Sequence, residues 1–159
     1  MPLACSTYEK GRPEMSQSSF AQITATTARP TVLVIDDDDG VVATLEWLLQ
    51  SEGYQVAVAR DGTEGIAAYG KGLPDLVITD IIMPSETGIA VITGIKRINP
   101  AAKIIAISGG GRIGNMNFLE VAKEIGASTI VTKPFDAEEL LGAVRSLLPT
   151  AAAAAVAAA

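Results

Sequence analysis

Between Thr31 and Leu148, short runs of apolar, often β-branched residues alternate with longer stretches in which apolar residues recur at helical spacing. This alternation is typical of βα units arranged around a parallel sheet. Three of the short runs are apolar at nearly every position, as expected of strands that are buried on both faces. The pattern predicts strands at residues 32–35, 55–59, 76–79, 104–107 and 129–132, and helices at residues 39–52, 63–70, 86–98, 115–125 and 136–148.

Residues that favour helix ends support these boundaries. Gly53, Gly72 and Gly126 lie where predicted helices should stop, because glycine readily adopts the left-handed conformation that ends many helices. Asp136 is the predicted N-cap of the last helix. Because the five strands and five helices alternate strictly, the sequence predicts an α/β fold, a three-layer open sandwich around a five-stranded parallel sheet.

The two ends of the chain differ from this middle part. Residues 1–29 are rich in Ser, Thr, Gln and Ala without a sustained period, so we expect a flexible leader. Residues 150–159 are interpreted as an Ala-rich tail or the stub of a linker, which leaves residues 30–149 as the predicted folded domain. We expect neither membrane insertion nor secretion, because no apolar run approaches the roughly 20 residues of a spanning helix and the N-terminus lacks the apolar core of a secretory signal.

Composition excludes several kinds of chemistry. The chain has no histidine and its only cysteine is Cys5, so it can build neither a histidine-dependent nucleophile system nor the usual zinc site. A disulfide within the chain is impossible, which fits a cytoplasmic location. The formal net charge is −6 and the sequence has no basic stripe with interleaved aromatic residues, so we expect no direct binding of nucleic acid.

Polar residues follow four of the five predicted strands at the point where each strand ends. Asp36 and Asp37 follow the first strand, Asp80 the third, Ser108 the fourth and Lys133 the fifth. Ligands of open parallel sheets bind beyond the carboxyl ends of the strands, so these side chains are expected to converge. Crowded carboxylates either raise each other's pKa or bind a cation, and a hard, oxygen-preferring ion such as Mg²⁺ suits them.

This set of groups is suited to phosphoryl transfer. Asp80 could attack a phosphorus centre and become an aspartyl phosphate, while Lys133 neutralises phosphate charge and the Ser108 hydroxyl donates a hydrogen bond. Each residue alone has a simpler explanation, since residues 36–39 could form a loop with a helix cap and Lys133 could be a surface charge. Their joint occurrence at the strand ends favours a site.

The motifs carry a resemblance to a known family. They are VLVIDDDD (residues 32–39), DLVITDIIMP (75–84), IIAISGG (104–110) and TKPF (132–135). In this order and spacing, residues 31–148 resemble a response-regulator receiver domain of bacterial two-component signalling. The resemblance implies the flavodoxin-like strand order 2-1-3-4-5.

The family implies a phosphoacceptor and a metal site. Asp80 matches the phosphoacceptor, and Asp37 with Asp80 matches the pair that binds Mg²⁺. Asp36 is expected to support the ion through water. The backbone carbonyl of Ile82 matches the third protein ligand.

The family also implies a conformational switch. Ser108 matches the hydroxyl that moves onto the phosphoryl group, and Lys133, followed by a typically cis Pro134, matches the lysine that pairs with it. Ile130 stands where many members carry an aromatic switch residue, so the output surface is expected to respond differently. Neither Ile82 nor Gly110, each two residues past a site residue, can orient a hydrolytic water, which predicts slow self-dephosphorylation.

The resemblance implies a signalling switch that is not an enzyme apart from its own phosphorylation and dephosphorylation. A sensor histidine kinase or a histidine phosphotransfer protein would supply the phosphoryl group, since the chain itself has no histidine. The phosphoryl group would change the surface around the fourth and fifth strands and helices for a downstream protein target. Both a single-domain receiver and a fragment of a larger regulator remain open.

Other functions fit parts of the sequence. Residues 37–41 match the first motif of a haloacid-dehalogenase-like phosphatase with Asp37 as nucleophile, but Asp80 would then have no role. For the acidic strand-end pair that this family needs after the lysine, only Asp136 with Glu138 and Glu139, at the start of a predicted helix, is available. An EF-hand loop would begin at Ile35, inside an apolar strand. A Gly-rich P-loop lacks its GK[ST] sequence. A pure binding module leaves the intact set of strand-end groups unexplained.

Overall fold

The apolar runs form one sheet in the computed structural model, which describes residues 29–109 and 117–149. In chain order the elements are β1 (Thr31–Ile35), α1 (Asp39–Ser51), β2 (Gln55–Ala59), α2 (Gly62–Gly72), β3 (Leu76–Asp80), α3 (Gly88–Ile98), β4 (Ile104–Ser108), α4 (Phe118–Glu124), β5 (Thr129–Thr132) and α5 (Ala137–Leu147). The paired strands are parallel and lie in the order β2-β1-β3-β4-β5. The fold class and the strand order are therefore confirmed.

Alternate side chains of each strand enter two different layers. Along β1, Val32 and Val34 pack in the layer of α1 and α5, whereas Leu33 and Ile35 pack in the layer of α2, α3 and α4. All four are buried. Burial of such a side chain contributes about 1.5–3 kcal/mol, so a strand covered on both faces is apolar throughout.

Helix ends follow local hydrogen bonding, with one departure from expectation. Asp136 caps α5 as predicted, because its Oδ1 accepts from the Glu139 N–H at 2.7 Å. Gly53 and Gly126 adopt the left-handed conformation after α1 and α4, as predicted. After α2 this conformation falls on Leu73 rather than on Gly72, because α2 extends through Gly72.

Two other helix boundaries shift by a few residues. α3 begins at Gly88 rather than at residue 86, because Thr87 is its N-cap and accepts from the Ala90 N–H. α4 begins at Phe118, with Asn117 as N-cap. Residues 115 and 116, predicted to belong to this helix, lie outside the described residues.

No helix within the described ranges is long and apolar enough to cross a membrane. The leader predicted at residues 1–29 lies outside the described part except for Arg29, and the predicted tail lies outside it completely. The domain limits at residues 30 and 149 therefore stay predictions.

Candidate functional site

Strand register places two carboxylates side by side. Ile35 of β1 pairs with Thr79 of β3, so the residues that follow, Asp36 and Asp80, are level at the carboxyl edge of the sheet. Both are buried, with 1% and 8% of their surfaces exposed, whereas the next residue, Asp37, is exposed. One carboxylate oxygen from each of the three lies within 4.8 Å of the others. The sequence prediction that these residues converge is thus met by the geometry.

Lys133 reaches this cluster from β5, two strands away from β3. Its Nζ lies 3.1 Å from Asp80 Oδ2 and 3.2 Å from Asp36 Oδ2. The backbone N–H of Lys133 donates to the Ser108 carbonyl at 2.7 Å, which anchors the residue to the end of β4. The peptide bond to Pro134 is cis, as the resemblance implied.

The second oxygen of the Asp80 carboxylate is held by the loop that follows β3. The backbone N–H of Ile82 donates to Asp80 Oδ1 at 3.3 Å. This loop is fixed at its base, because the Ile81 N–H donates to Ile107 of β4 and the Ile81 carbonyl accepts from Gly88 of α3. The backbone of Ile82 thus borders the carboxylate cluster, and its expected role as a metal ligand stays a prediction.

The electrostatics of the cluster leave negative charge in excess. Burial raises the pKa of Asp36 above its ordinary value, against the hydrogen bond from the Asp38 N–H and the attraction of Lys133. Partial burial opposes the charge on Lys133, but the charges and hydrogen bonds of Asp80 and Asp36 together raise its pKa. The cluster contains three carboxylates and a single ammonium. The carboxylate oxygens are ligands that suit a hard divalent cation.

Ser108 has an unusual environment at the end of β4. It follows Ile107, the residue that pairs with Asp80, and it is 1% exposed. Its Oγ has no hydrogen-bond partner among the described residues. Leaving a buried hydroxyl without a hydrogen-bond partner costs about 1–3 kcal/mol of stability, and such hydroxyls are therefore uncommon in folded proteins. This hydroxyl is free to bond a group that enters the site.

Ile130 and Ile82, two of the three positions expected to alter the switch or the dephosphorylation, lie within the described residues. Ile130 is half-buried and packs in the layer of α2, α3 and α4. Ile82 has an exposed side chain beside Asp80. Gly110 lies outside the described residues, so its part in the predicted slow dephosphorylation stays a prediction.

A charged residue that sequence reasoning passed over also borders the site. The strand β2 ends without a reactive group in the sequence interpretation, yet Arg60 directly follows it and pairs with the Asp39 carboxylate at the start of α1. Both side chains are largely exposed, so the pair adds at most about 1 kcal/mol. The strand order could have indicated that Arg60 lies near the site. Ile35 of β1 pairs with Ala59 of β2, so the residues that follow these two strands are neighbours.

A groove opens beside Lys133. It has a volume of about 420 Å³ and lies between the start of α1 and the segment that joins β5 to α5. Its lining includes the apolar side chains of Val41, Pro134 and Phe135, with Asp38 on the acidic side. The site is thus a carboxylate pocket with an apolar contact surface at its rim.

Comparison with known proteins decides the family. The model of the response regulator receiver domain matches residues 32–145. The chain belongs to the response-regulator receiver family. This receiver is 32% identical over 118 residues to sporulation initiation phosphotransferase F of Bacillus subtilis, covering 74% of this chain and 93% of that protein. It is 31% identical to the uncharacterized transcriptional regulatory protein YkoG of the same organism, over 74% of this chain.

The receiver spans only 50% of YkoG, which is therefore a longer protein. Among solved structures, it resembles the chemotaxis protein CheY4 of Vibrio cholerae, with a TM-score of 0.69 and 28% identity over 76% of this chain and 100% of that one. It also resembles a CheX-CheY-BeF3-Mg complex from Borrelia burgdorferi, with a TM-score of 0.67 and 31% identity over 74% of this chain and 87% of that one. The family implies phosphoryl-accepting signalling, and these comparisons give the phosphatase alternative no support.

Proposed function

We propose that this receiver accepts a phosphoryl group on Asp80 in a reaction that requires Mg²⁺. The observation that carries the proposal is the double contact of Lys133 Nζ with Asp80 and Asp36 beside a third carboxylate, Asp37. Phosphoryl transfer needs positioned groups and charge compensation rather than covalent participation of many residues. This pocket offers a nucleophile, a cation and a metal-binding carboxylate set within one small volume.

The metal-binding residues in this proposal are Asp36, Asp37, Asp80 and the backbone carbonyl of Ile82. Mg²⁺ prefers oxygen ligands and keeps several waters, so a few carboxylates with open positions suit it better than a closed cage. When bound, the ion neutralises charge on the transferring phosphoryl oxygens. Three carboxylates beside a single ammonium give such an ion a favourable site.

The transfer step uses an Asp80 carboxylate oxygen as nucleophile. This oxygen forms a bond to phosphorus while the bond between phosphorus and the donor breaks, and the donor keeps the electron pair of the broken bond. Lys133 is charged at neutral pH, because the nearby carboxylates raise its pKa despite partial burial. Its ammonium can therefore turn from the free carboxylate to a phosphoryl oxygen without taking up a proton.

Ser108 would convert phosphorylation into a change of surface. Its buried Oγ has no partner among the described residues, so a hydrogen bond to a phosphoryl oxygen would be a net gain made only in the phosphorylated state. Such a state-dependent contact is what biases a two-state equilibrium. The biased surface comprises the β4–α4 connection and the α4–β5–α5 face, where Ile130 replaces the usual aromatic residue.

The phosphoryl donor in this proposal is a histidine kinase or a histidine phosphotransfer protein, and the output is binding of a downstream protein target. The chain has no histidine of its own, so the phosphohistidine must belong to another molecule. The apolar groove lined by Val41, Pro134 and Phe135 lies beside Lys133 and offers that donor a contact surface. The net charge of −6 argues against a direct nucleic-acid target.

Labelling with a small acyl phosphate tests the proposal without knowledge of the kinase. The protein is incubated with acetyl phosphate and Mg²⁺, and the phosphorylated fraction is followed by intact-protein mass spectrometry. Asp80→Asn should abolish the labelling, and removal of Mg²⁺ with a chelator should do the same. The matched control is Asp75→Asn, a carboxylate at the opposite edge of the sheet, which should label at the wild-type rate. Undiminished labelling of Asp80→Asn contradicts the assignment.

A further inference from the structure

The loop between β3 and α3, residues 81–87, determines where the backbone of Ile82 lies. The Ile82 N–H donates to Asp80 Oδ1 at 3.3 Å, and the Ile82 carbonyl is a ligand in the proposed magnesium site. The side chain of Ile82 is 41% exposed, so it does not anchor this residue in the core. The position of the Ile82 backbone therefore depends on how the rest of the loop is held.

The base of this loop is held by the sheet and by the core. The Ile81 N–H donates to the Ile107 carbonyl at 2.9 Å, and the Gly88 N–H donates to the Ile81 carbonyl at 2.8 Å. Met83 is buried and packs in the layer of α2, α3 and α4. Residues 84–86 form the tip of the loop, and the first two of them are exposed. The tip therefore needs an anchor of its own.

A hydrogen bond joins the tip to α2. Thr63 Oγ1 donates to Glu86 Oε2 at 3.1 Å, although the two residues are 23 positions apart in the chain. Glu86 is half-buried, and Thr63 is the second residue of α2. The carboxylate therefore lies at the N-terminal end of α2, where the helix dipole stabilises a negative charge.

Gly62, the first residue of α2, allows the tip to come this close to the helix. A Cβ at Gly62 would lie 2.8 Å from Glu86 Oε2 and 3.2 Å from Glu86 Cβ. It would also lie 2.7 Å from Val91 Cγ2 of α3. Carbon atoms in contact prefer separations of about 3.5–4.0 Å, so a residue without a Cβ fits best between the tip and α3. Glu86 is thus held both by a hydrogen bond and by close packing against α2.

We propose that Glu86 is a positioning residue for the metal site. Its bond to Thr63 holds the tip of the loop, and the tip in turn holds the backbone of Ile82 beside Asp80. The inference rests on the proposed function, in which the Ile82 carbonyl binds Mg²⁺. Glu86 itself touches neither the ion nor the phosphoryl group in this proposal.

Loss of this bond should lower the affinity for Mg²⁺ rather than the rate of phosphoryl transfer. An ion binds more weakly when the binding-competent conformation is only partly populated, and the apparent affinity falls by that fraction. Removal of one hydrogen bond should weaken binding about three- to tenfold, equivalent to about 0.7–1.4 kcal/mol. At saturating Mg²⁺ the labelling rate of Asp80 should stay at the wild-type level, because the bound ion then orders the loop.

A titration of the unphosphorylated, full-length protein with MgCl₂, followed by NMR chemical shifts, tests this. Thr63→Val and Glu86→Ala should each weaken binding by the factor given above, and the double variant should bind no more weakly than either single one. The matched control is Thr93→Val, because the Thr93 hydroxyl donates to the Ile89 carbonyl within α3 at 2.9 Å, so its affinity should equal that of the wild type. Wild-type affinity in both single variants, or additive losses in the double variant, contradicts the proposal.

Glu86→Gln separates positioning from charge. The amide keeps an oxygen that accepts from the Thr63 hydroxyl but carries no charge, so the affinity for Mg²⁺ should stay close to that of the wild type. The titration is made at an ionic strength of about 0.15 M, where charges are screened beyond about 8 Å. A loss as large as that of Glu86→Ala would mean that Glu86 acts through its charge alone, and would overturn the proposal.

Hydrogen exchange in the metal-free protein reads the position of the loop without any bound ion. The Ile82 amide should exchange several-fold faster in Thr63→Val and in Glu86→Ala, whereas the Ile81 amide, bonded to β4, should exchange at the wild-type rate. Unchanged exchange of Ile82, or equal acceleration of both amides, overturns the positioning role. If the wild-type protein binds no Mg²⁺, the proposed function fails, whereas wild-type binding with unchanged affinity in both variants overturns the role of Glu86 alone.

Discussion

Lys133 Nζ lies 3.1 Å from Asp80 Oδ2, although the two residues are 53 positions apart and their strands are separated by β4. The contact exists because parallel strands deliver their carboxyl ends to one edge and because a lysine side chain is long enough to cross a neighbouring strand. It joins the proposed nucleophile to the one cation that touches the carboxylate cluster within the described residues.

Replacement of Lys133 by methionine should destabilise the metal-free protein. The substitution leaves two buried carboxylates without their shared ammonium, and a hydrogen bond to a charged group contributes about 1.5–3 kcal/mol. We expect the free energy of unfolding in urea to fall by about that amount at neutral pH. Lys71→Met, at an exposed position near the end of α2, is the control and should change it by less than about 0.5 kcal/mol. Equal losses of stability in Lys133→Met and Lys71→Met would contradict a stabilising role for the contacts of Lys133 with Asp36 and Asp80.

Asp36→Asn should have an effect that depends on pH and on metal. Burial raises the pKa of Asp36, so the folded state prefers its protonated form, and the wild-type protein loses stability as pH rises from the ordinary value of 3.8 through the raised folded value. Without metal, the asparagine variant should therefore gain stability relative to wild type as the pH rises above the ordinary value of 3.8. Mg²⁺ should stabilise wild type but not the variant, because only wild type keeps the full carboxylate set. Urea midpoints with and without Mg²⁺ measure both effects.

Two serine substitutions should differ in their effect on stability, because only one of the two hydroxyls has a hydrogen-bond partner among the described residues. Ser108→Ala removes a buried hydroxyl that has no partner among the described residues, so the free energy of unfolding should stay level or rise by about 1 kcal/mol. Ser128→Ala removes an acceptor for the Ile104 N–H and should lower it by about 0.5–1.5 kcal/mol. In the phosphorylated protein, Ser108→Ala should reduce the chemical-shift changes in α4 and β5. A marked loss of stability in the unphosphorylated Ser108→Ala protein would show that the hydroxyl already has a partner.

Gly88 is predicted to set the position of the loop behind Asp80. A Cβ at this residue would lie 2.2 Å from the Asp80 carbonyl oxygen and 2.6 Å from Ile81 Cα, and backbone atoms cannot move aside easily. Gly88→Ala should cost about 1–3 kcal/mol and weaken Mg²⁺ binding, since the loop also carries Ile82. Gly142→Ala, with open space around the new Cβ in α5, should instead stabilise by about 0.5–1 kcal/mol. Unchanged affinity of Gly88→Ala for Mg²⁺ would show that the position of this loop does not affect metal binding.

The residue at position 82 is expected to control the lifetime of the phosphoryl group. The Ile82 side chain is exposed beside Asp80 and has no group to orient an attacking water. Ile82→Asn should shorten the lifetime several-fold, whereas Ile82→Leu should leave it unchanged. The decay of the phosphorylated mass after removal of acetyl phosphate measures this, and equal lifetimes of all three proteins would contradict the expectation.

Much of the architecture could be predicted because burial on both faces leaves a clear pattern. The strands stood out since residues such as Val34 and Ile78 are buried in one layer while their neighbours are buried in the other. The convergence of Asp36, Asp80 and Lys133 followed from strand ends meeting at one edge. These features depend on the spacing of apolar residues and on the alternation of strands and helices, both of which are visible in the sequence.

Other features depend on contacts that no local pattern reveals. The left-handed residue after α2 is Leu73 rather than Gly72, because α2 extends through Gly72. Ser108 could be named as a site residue, but its lack of a partner depends on the packing around β4. Pairing of Arg60 with Asp39 required the neighbouring positions of β1 and β2 in the sheet.

Borohydride trapping identifies the phosphorylated residue, because it converts an aspartyl phosphate into homoserine at that position. The full-length protein is phosphorylated with acetyl phosphate and Mg²⁺, reduced, digested and sequenced by mass spectrometry. If Asp80 is the phosphoacceptor, homoserine should form at position 80 and only there, with none formed when Mg²⁺ is chelated. Homoserine at position 37, the nucleophile of a haloacid-dehalogenase-like phosphatase, or no homoserine at all, would contradict this assignment.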